Sequence, residues 1–244
     1  METVQFGQIQ EQSYAMKESL RALRTNIQFC GDDIKTILFT SAQPNEGKST
    51  VVFNLARSLT ELGKSVLVID TDMRKSVFIG RLRAKMEGKR EIKGLSHYLS
   101  GQISADNVIY STNIPKLYMI FAGRSVPNPT EMLDKKYFEK LMGVARNTFD
   151  YVLIDTAPIG AAIDAAVVGK HCDGAVIVVG QGEANTRAIM GVKKQLEVAG
   201  VPILGAVLNK VENKKSHYGN YYGNYYGGYY GHYYGNYGND DATS

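Results

Sequence analysis

The sequence predicts an α/β fold, a mostly parallel sheet with helices on both faces. Two observations carry this. Six short runs, Thr36–Ser41, Ser65–Asp70, Leu117–Phe121, Tyr151–Asp155, Gly174–Val179 and Ile203–Leu208, are apolar and β-branched without alternation, as strands buried on both faces are. Helical stretches separate them, and such alternation builds a parallel sheet by right-handed crossovers. Composition agrees: 44% of the 244 residues are apolar, enough for a sizeable core. A formal charge of +4 is too small to argue for nucleic acid. Two cysteines, Cys30 and Cys172, cannot make a disulfide framework, which points to a reducing cytosol. No apolar run reaches the roughly 20 residues of a membrane span. METVQFGQIQEQ lacks the regions of a secretory signal. The expected location is cytoplasmic, with any membrane contact made through a partner.

In chain order, Ser13–Phe29 predicts an amphipathic helix. Met16, Leu20, Leu23 and Ile27 form one apolar stripe at spacings of four, three and four. Glu18, Arg21 and Arg24 recur at spacings of three on another face, where surface ion pairs form readily. The first strand then runs into SAQPNEGKST, residues 41–50, followed by a helix over Ser49–Leu62. This reads as a phosphate-binding loop, with Ala42 where the common pattern has Gly. Pro44, Asn45, Glu46, Gly47, Lys48, Ser49 and Thr50 are expected around the nucleotide phosphates. Backbone N–H groups and the helix N-terminus would surround the phosphate oxygens. Gly47 lets the backbone approach closely, Lys48 places a charge on the β- and γ-phosphates, and the Ser49 hydroxyl ligates Mg²⁺. The fold expected is therefore P-loop NTPase-like.

The second strand ends in Asp70-Thr-Asp72-Met-Arg74 and the fourth in Asp155-Thr-Ala-Pro158. Both endings fall at the carboxyl edge of the sheet, where ligands bind in folds of this class. Asp155 is expected to hold Mg²⁺ directly or through water. Asp70 and Asp72 stand two positions apart, and one is expected to face the metal and the other the loop beyond. Strand-end aspartates also serve as helix caps, but three of them beside a phosphate loop favour the metal reading. Arg81, Arg83, Lys85, Lys89, Arg90 and Lys93 crowd one stretch. It reads as a nucleic-acid contact, an anionic-membrane contact or a solvated basic loop; aromatics for base stacking are missing from it, and the solvated loop is preferred. Further helices are expected over Glu131–Arg146, Ala161–His171 and Thr186–Ala199. Asn209 follows the last strand, either touching the nucleotide base or making a turn. The acid of a guanine-reading motif is missing after it, which favours adenine and hence ATP.

Residues 216–239 are different in kind. They hold ten tyrosines, seven glycines, four asparagines, two histidines and one serine. Without Val, Ile or Leu the segment builds no core, and this glycine density raises the entropy cost of ordering it. The expected organisation is a folded domain over 1–215 and a disordered Tyr/Gly-rich tail over 216–244. Tyr218, Tyr221, Tyr222, Tyr225, Tyr226, Tyr229, Tyr230, Tyr233, Tyr234 and Tyr237 are then candidate phosphoacceptors, although such repeats also serve self-association.

The set ESLRALRTNI, SAQPNEGKST, VLVIDTDMR, NPTEML, YVLIDTAP and LGAVLNK, with a Tyr-rich end, resembles the bacterial tyrosine kinases. More narrowly it is similar to the cytoplasmic, CpsD-type kinases of Gram-positive capsule and exopolysaccharide loci. The resemblance spans about residues 13–237. It implies phosphoryl transfer from Mg-ATP to tyrosine. In it Asp70 is a metal-linked acid and the base toward the tyrosine hydroxyl, Asp72 supports it, and Asp155 holds the metal through water. It implies that Glu18, Arg21 and Arg24 form an E-x-x-R-x-x-R oligomerisation motif, that the subunits form a ring, and that the tail is phosphorylated in trans. It also implies a membrane activator of the polysaccharide co-polymerase type, whose cytoplasmic tail docks and recruits the kinase to the inner face of the membrane. Asn45 stands where the family usually has Gly, and tolerates left-handed backbone. Lys75-Ser76 stands where the family often has Pro. A partition ATPase, the rival reading, has a lysine where Gln43 stands.

Overall fold

The structure, a computed structural model, describes residues 1–211 apart from Gln8 and Arg90. The tail expected over 216–244 and its ten tyrosines lie outside the described residues. In chain order the elements are β1 (Thr3–Phe6), α1 (Tyr14–Phe29), β2 (Thr36–Ser41), α2 (Lys48–Thr60), β3 (Val66–Asp70), α3 (Phe78–Leu82), β4 (Ala84–Met86) and α4 (Leu95–Leu99). Then follow β5 (Tyr110–Thr112), β6 (Leu117–Ile120), α5 (Pro129–Leu133), α6 (Lys136–Thr148), β7 (Tyr151–Asp155), α7 (Asp164–Gly169), β8 (Gly174–Gly180), α8 (Thr186–Val198) and β9 (Ile203–Asn209).

Among the described residues the strands form one sheet, ordered β4-β1-β5-β6-β3-β7-β2-β8-β9. From β6 to β9 every neighbouring pair is parallel. The antiparallel pairs, β1–β4 and β5–β6, lie toward the other end. Side chains divide by the pleat. Leu38, Leu67, Ile69, Val152 and Ile154 join a core under α4 to α8. Ile37, Phe39, Val66, Val68 and Leu153 join a second core under α1, α2 and α3. Both faces are covered, so the central strands carry apolar residues without alternation.

All six expected strands are present, and three short ones are added. β1 alternates exposed and buried residues, with Val4 and Phe6 turned inward. It pairs with β4 on one side and β5 on the other. The basic stretch is thus not a solvated loop throughout: Arg83 ends α3 and Lys85 lies in β4, whose neighbours Ala84 and Met86 are buried. The helix expected over 131–146 is two, α5 and α6, because Lys135 is extended between them. The break lets Leu133 and Phe138 both reach zero exposure. The helix expected over 161–171 shrinks to α7, since Ala161 and Ala162 are tied in a turn to the Pro158 carbonyl.

The first helix starts where expected, with the Ser13 hydroxyl accepting the Met16 N–H. Its charged face divides. Arg21 pairs with Glu18, both exposed. Arg24 instead packs on α2, donating to the Ser58 carbonyl at 2.8 Å and to the Ser58 hydroxyl at 3.1 Å. The three charges therefore do not project as one set: Arg24 has a partner within the chain.

Candidate active site

The phosphate loop leaves β2 at the centre of the sheet and enters α2 through Gly47, whose φ of 89° is left-handed. Glycine alone fits here, because an added Cβ would stand 2.1 Å from the Asn209 amide nitrogen. Asn45 is left-handed too, at φ 69°, the conformation asparagine tolerates. Pro44 and Asn45 are exposed, whereas Lys48 is only 7% exposed at the first turn of α2. The orphan N–H groups of that first turn make an anion site.

Glu46 has a different position from its neighbours. Its carboxylate is fully buried and accepts N–H groups from Gln43 at 2.7 Å and from Gly180, at the end of β8, at 3.2 Å. Its carbonyl accepts the Asn209 amide at 2.9 Å. The Glu46 side chain is therefore an internal strut of the loop, and Asn209 holds the loop from β9. Only the backbone of Glu46 remains for a phosphate. Both contacts escape sequence reasoning, since Gly180 and Asn209 lie far along the chain.

Parallel pairing of β3 with β7 sets Asp70 directly beside Asp155. Both carboxylates are buried, at 0% and 3% exposure. Burial is the main cause that lifts both above the ordinary carboxylate range, and their mutual repulsion adds to it for Asp70. Asp155 is pushed up to about 6, against the opposing pull of Lys48 and the Ser49 hydroxyl. Ser49 Oγ donates to Asp155 Oδ2 at 2.5 Å, and Asp155 Oδ1 is buried with no partner. Two like charges this close, with an orphaned carboxylate oxygen and a hydroxyl beside them, want a hard cation. The oxygen donors Ser49, Asp70 and Asp155 fit Mg²⁺.

Asp72 follows β3, its N–H donating to Asp70 Oδ1 at 3.0 Å. Its own Oδ1 accepts the N–H groups of Arg74 and Lys75 at 3.2 and 2.9 Å, capping the loop after β3. Ser76 Oγ donates to Asp70 Oδ2 at 2.5 Å. Arg74 Nε donates to Asp164 Oδ2 at 3.0 Å, and Thr130 also donates to that buried carboxylate. This ties the loop to α5 and α7. Ser76, Thr130 and Asp164 went unnoticed in the sequence; the acid at the start of a helix was the one available signal. Arg81 donates to the Thr50 hydroxyl at 2.6 Å, so one residue of the basic stretch reaches the head of α2.

The family model of the AAA domain matches residues 34–201, which contain this whole set except Asn209. A tyrosine-protein kinase CpsD of Streptococcus agalactiae is 42% identical over 199 residues, 82% of this chain and 85% of its own length. The chain belongs to the CpsD-type tyrosine-protein kinases. Solved structures agree with that membership. The kinase domain of the Escherichia coli tyrosine kinase ETK matches with a TM-score of 0.75 and 32% identity, over 83% of this chain and 78% of that one. The chimerical protein CapA2B2 matches with a TM-score of 0.76 and 29% identity, over 87% and 94%. As a CpsD-type kinase the chain is a protein-tyrosine kinase on a P-loop scaffold, and the partition-ATPase reading is set aside.

Proposed function

We propose that this chain is an autokinase that transfers the γ-phosphoryl group of ATP in trans to tyrosines within residues 216–239, and so regulates the polymerisation and export of a capsule or exopolysaccharide. The observation that carries the reading is the Asp70–Asp155 pair at the head of the phosphate loop, in a chain with ten tyrosines in one glycine-rich segment. Lys48 and the N–H groups of residues 45–50 bind and orient the phosphates. Ser49, Asp70 and Asp155 hold Mg²⁺, which when bound neutralises phosphate charge and keeps both acids ionised. Asp70 accepts the phenolic proton as the tyrosine oxygen forms its bond to the γ-phosphorus. The bond from that phosphorus to the bridging oxygen breaks, and ADP leaves. Asp72 acts through the loop it caps, keeping Asp70 and Arg74 in place. Asn209 holds the loop against β9 and borders the nucleotide.

Glycine spacing lets each tyrosine enter a neighbouring subunit's site at low ordering cost. Ten phosphates would add roughly −15 to −20 charges, against a formal +4 for the whole chain, a swing able to open a ring of subunits. A membrane protein of the polysaccharide co-polymerase type supplies a cytoplasmic tail that docks on the kinase, activates it and recruits it to the inner face of the membrane. No helix among the described residues is long and apolar enough to cross a membrane. The deciding experiment is phosphotyrosine mapping by mass spectrometry after incubation with Mg-ATP and the activator tail. Label is expected within Tyr218–Tyr237 and lost in Lys48→Met; full labelling of Lys48→Met would refute the assigned engine.

A further inference from the structure

A cavity of about 270 Å³ opens between α4 and the loop that joins β6 to α5. It belongs to none of the machinery above, yet the same loop is tied to that machinery: the Val126 N–H donates to the Met73 carbonyl, just past Asp72. Beside the cavity two glycines, each near lining residues, cross in contact. An added Cβ on Gly94 would meet Gly123 N at 2.3 Å, and one on Gly123 would meet Ser96 Oγ at 2.5 Å. That close crossing presses Ser96 and His97 into the wall, each 4% exposed.

The polar groups here are left wanting an acceptor. The Gly94 N–H donates to His97 Nδ1 at 3.0 Å, so the neutral ring carries its proton on Nε2. Burial and the charge of Arg124 push the ring's pKa down and keep it neutral. Nε2 is buried with no partner, and so is Ser96 Oγ. Buried donors are almost always paired, so two orphans at one place ask for an occupant. Arg124 also lines the cavity, and its fork is held only by Glu91 in an exposed ion pair, a weak bond that a better anion displaces. Among the described residues no acid lines the space, while Val126, Pro127 and Met132 give it an apolar wall. One water, at about 30 Å³, fills only a small part of it.

Donors on one side and apolar surface on the other suit an anion carried on a ring. We propose that this cavity binds a phosphotyrosyl side chain, the product of the chain's own reaction, with its phosphate at Arg124 and His97 Nε2 and its ring on Val126, Pro127 and Met132. The site then gathers modified tyrosines beside the catalytic loop and keeps them from re-entering it. The choice of the chain's own tail as the source rests on the function proposed above; the aryl-phosphate chemistry does not.

The test uses the full chain, stripped by a tyrosine phosphatase and saturated with Mg-ADP so that the phosphate loop is filled. Calorimetry then compares phenyl phosphate, inorganic phosphate, and a peptide of residues 216–239 with and without one phosphotyrosine. Phenyl phosphate and the phosphopeptide are expected to bind, the plain peptide not. Arg124→Ala, a surface change that leaves the fold intact, should weaken both roughly tenfold, the worth of one charge-assisted hydrogen bond. The His97 Nε2–H proton resonance should shift on binding. Equal binding by Arg124→Ala, an unmoved His97 proton, or inorganic phosphate binding as tightly as phenyl phosphate would overturn the proposal. If phenyl phosphate binds but the tail is never labelled, the site stands and the autokinase reading falls. A labelled tail with no binding does the reverse.

Discussion

Asp155 has a measurable signature in the folded chain. Its carboxyl is lifted to about 6 by burial, so the folded state holds a proton that the unfolded chain releases near pH 4. The stabilisation is complete below the unfolded value and is lost as pH rises to about 6. A shift of this size is worth on the order of 2–3 kcal/mol. Without divalent cation, the melting temperature should therefore fall between pH 4 and 7, and Asp155→Asn should flatten that fall. Mg²⁺ should raise the melting temperature more at pH 8 than at pH 5; an equal effect at both would remove the cation from this pair. Gly47 makes a second prediction. Gly47→Ala faces about 1–2 kcal/mol for left-handed backbone alone, plus the collision with the Asn209 amide. Denaturant midpoints should show Asn209→Ala relieving part of that loss in the double variant. Asp70, Asp155, Lys48 and Ser49 were legible in the sequence because strand ends and a loop consensus place them. Glu46 as a strut was not, because its partner Gly180 lies 134 residues away.

Among elements, β1 separates what patterning can see from what it cannot. The long buried strands announced themselves by runs of β-branched residues. At four residues, Thr3–Phe6 is too short for a period to show, and its pairing with β4 and β5 depends on chain more than 75 residues later. The basic stretch misled for a related reason: Lys85 is exposed on the edge strand β4 while its neighbours Ala84 and Met86, and Leu82 of α3, point inward. Phe6 meets Phe53 of α2 edge-on, with ring centroids 5.7 Å apart. Phe6→Ala is expected to cost about 3–5 kcal/mol, read from urea unfolding. Because α2 carries the phosphate-binding turn, the same variant should weaken nucleotide binding; an unchanged ADP affinity would show that β1 supports the sheet alone.

For the whole molecule, the charged face of α1 decides what an assembly experiment means. Arg21 is exposed and Arg24 is bonded to Ser58. Arg21→Glu should lower tyrosine labelling between subunits, read by mixing Lys48→Met chains with active ones, while leaving the melting temperature unchanged. Arg24→Ala should lower the melting temperature as well, since it strips two hydrogen bonds, worth about 1 kcal/mol each. A loss of labelling by Arg24→Ala with no change in melting would restore the view that all three charges face a neighbour. The isolated chain is expected to label itself weakly. Adding the activator's tail should raise labelling by about an order of magnitude, because phosphoryl transfer depends on placement to within an ångström.

The register that sets Asp70 beside Asp155 has a consequence for how such a gene can drift. Side chains alternate along a strand, so one codon inserted or lost within β3 or β7 turns its aspartate to the opposite face of the sheet. Point changes among the apolar residues of these strands are repairable by repacking, whereas a length change of one is not. Variation in length across descendants should therefore gather in the turns before Val66 and Tyr151, and odd-numbered indels inside either strand should be found only in copies that have ceased to be kinases.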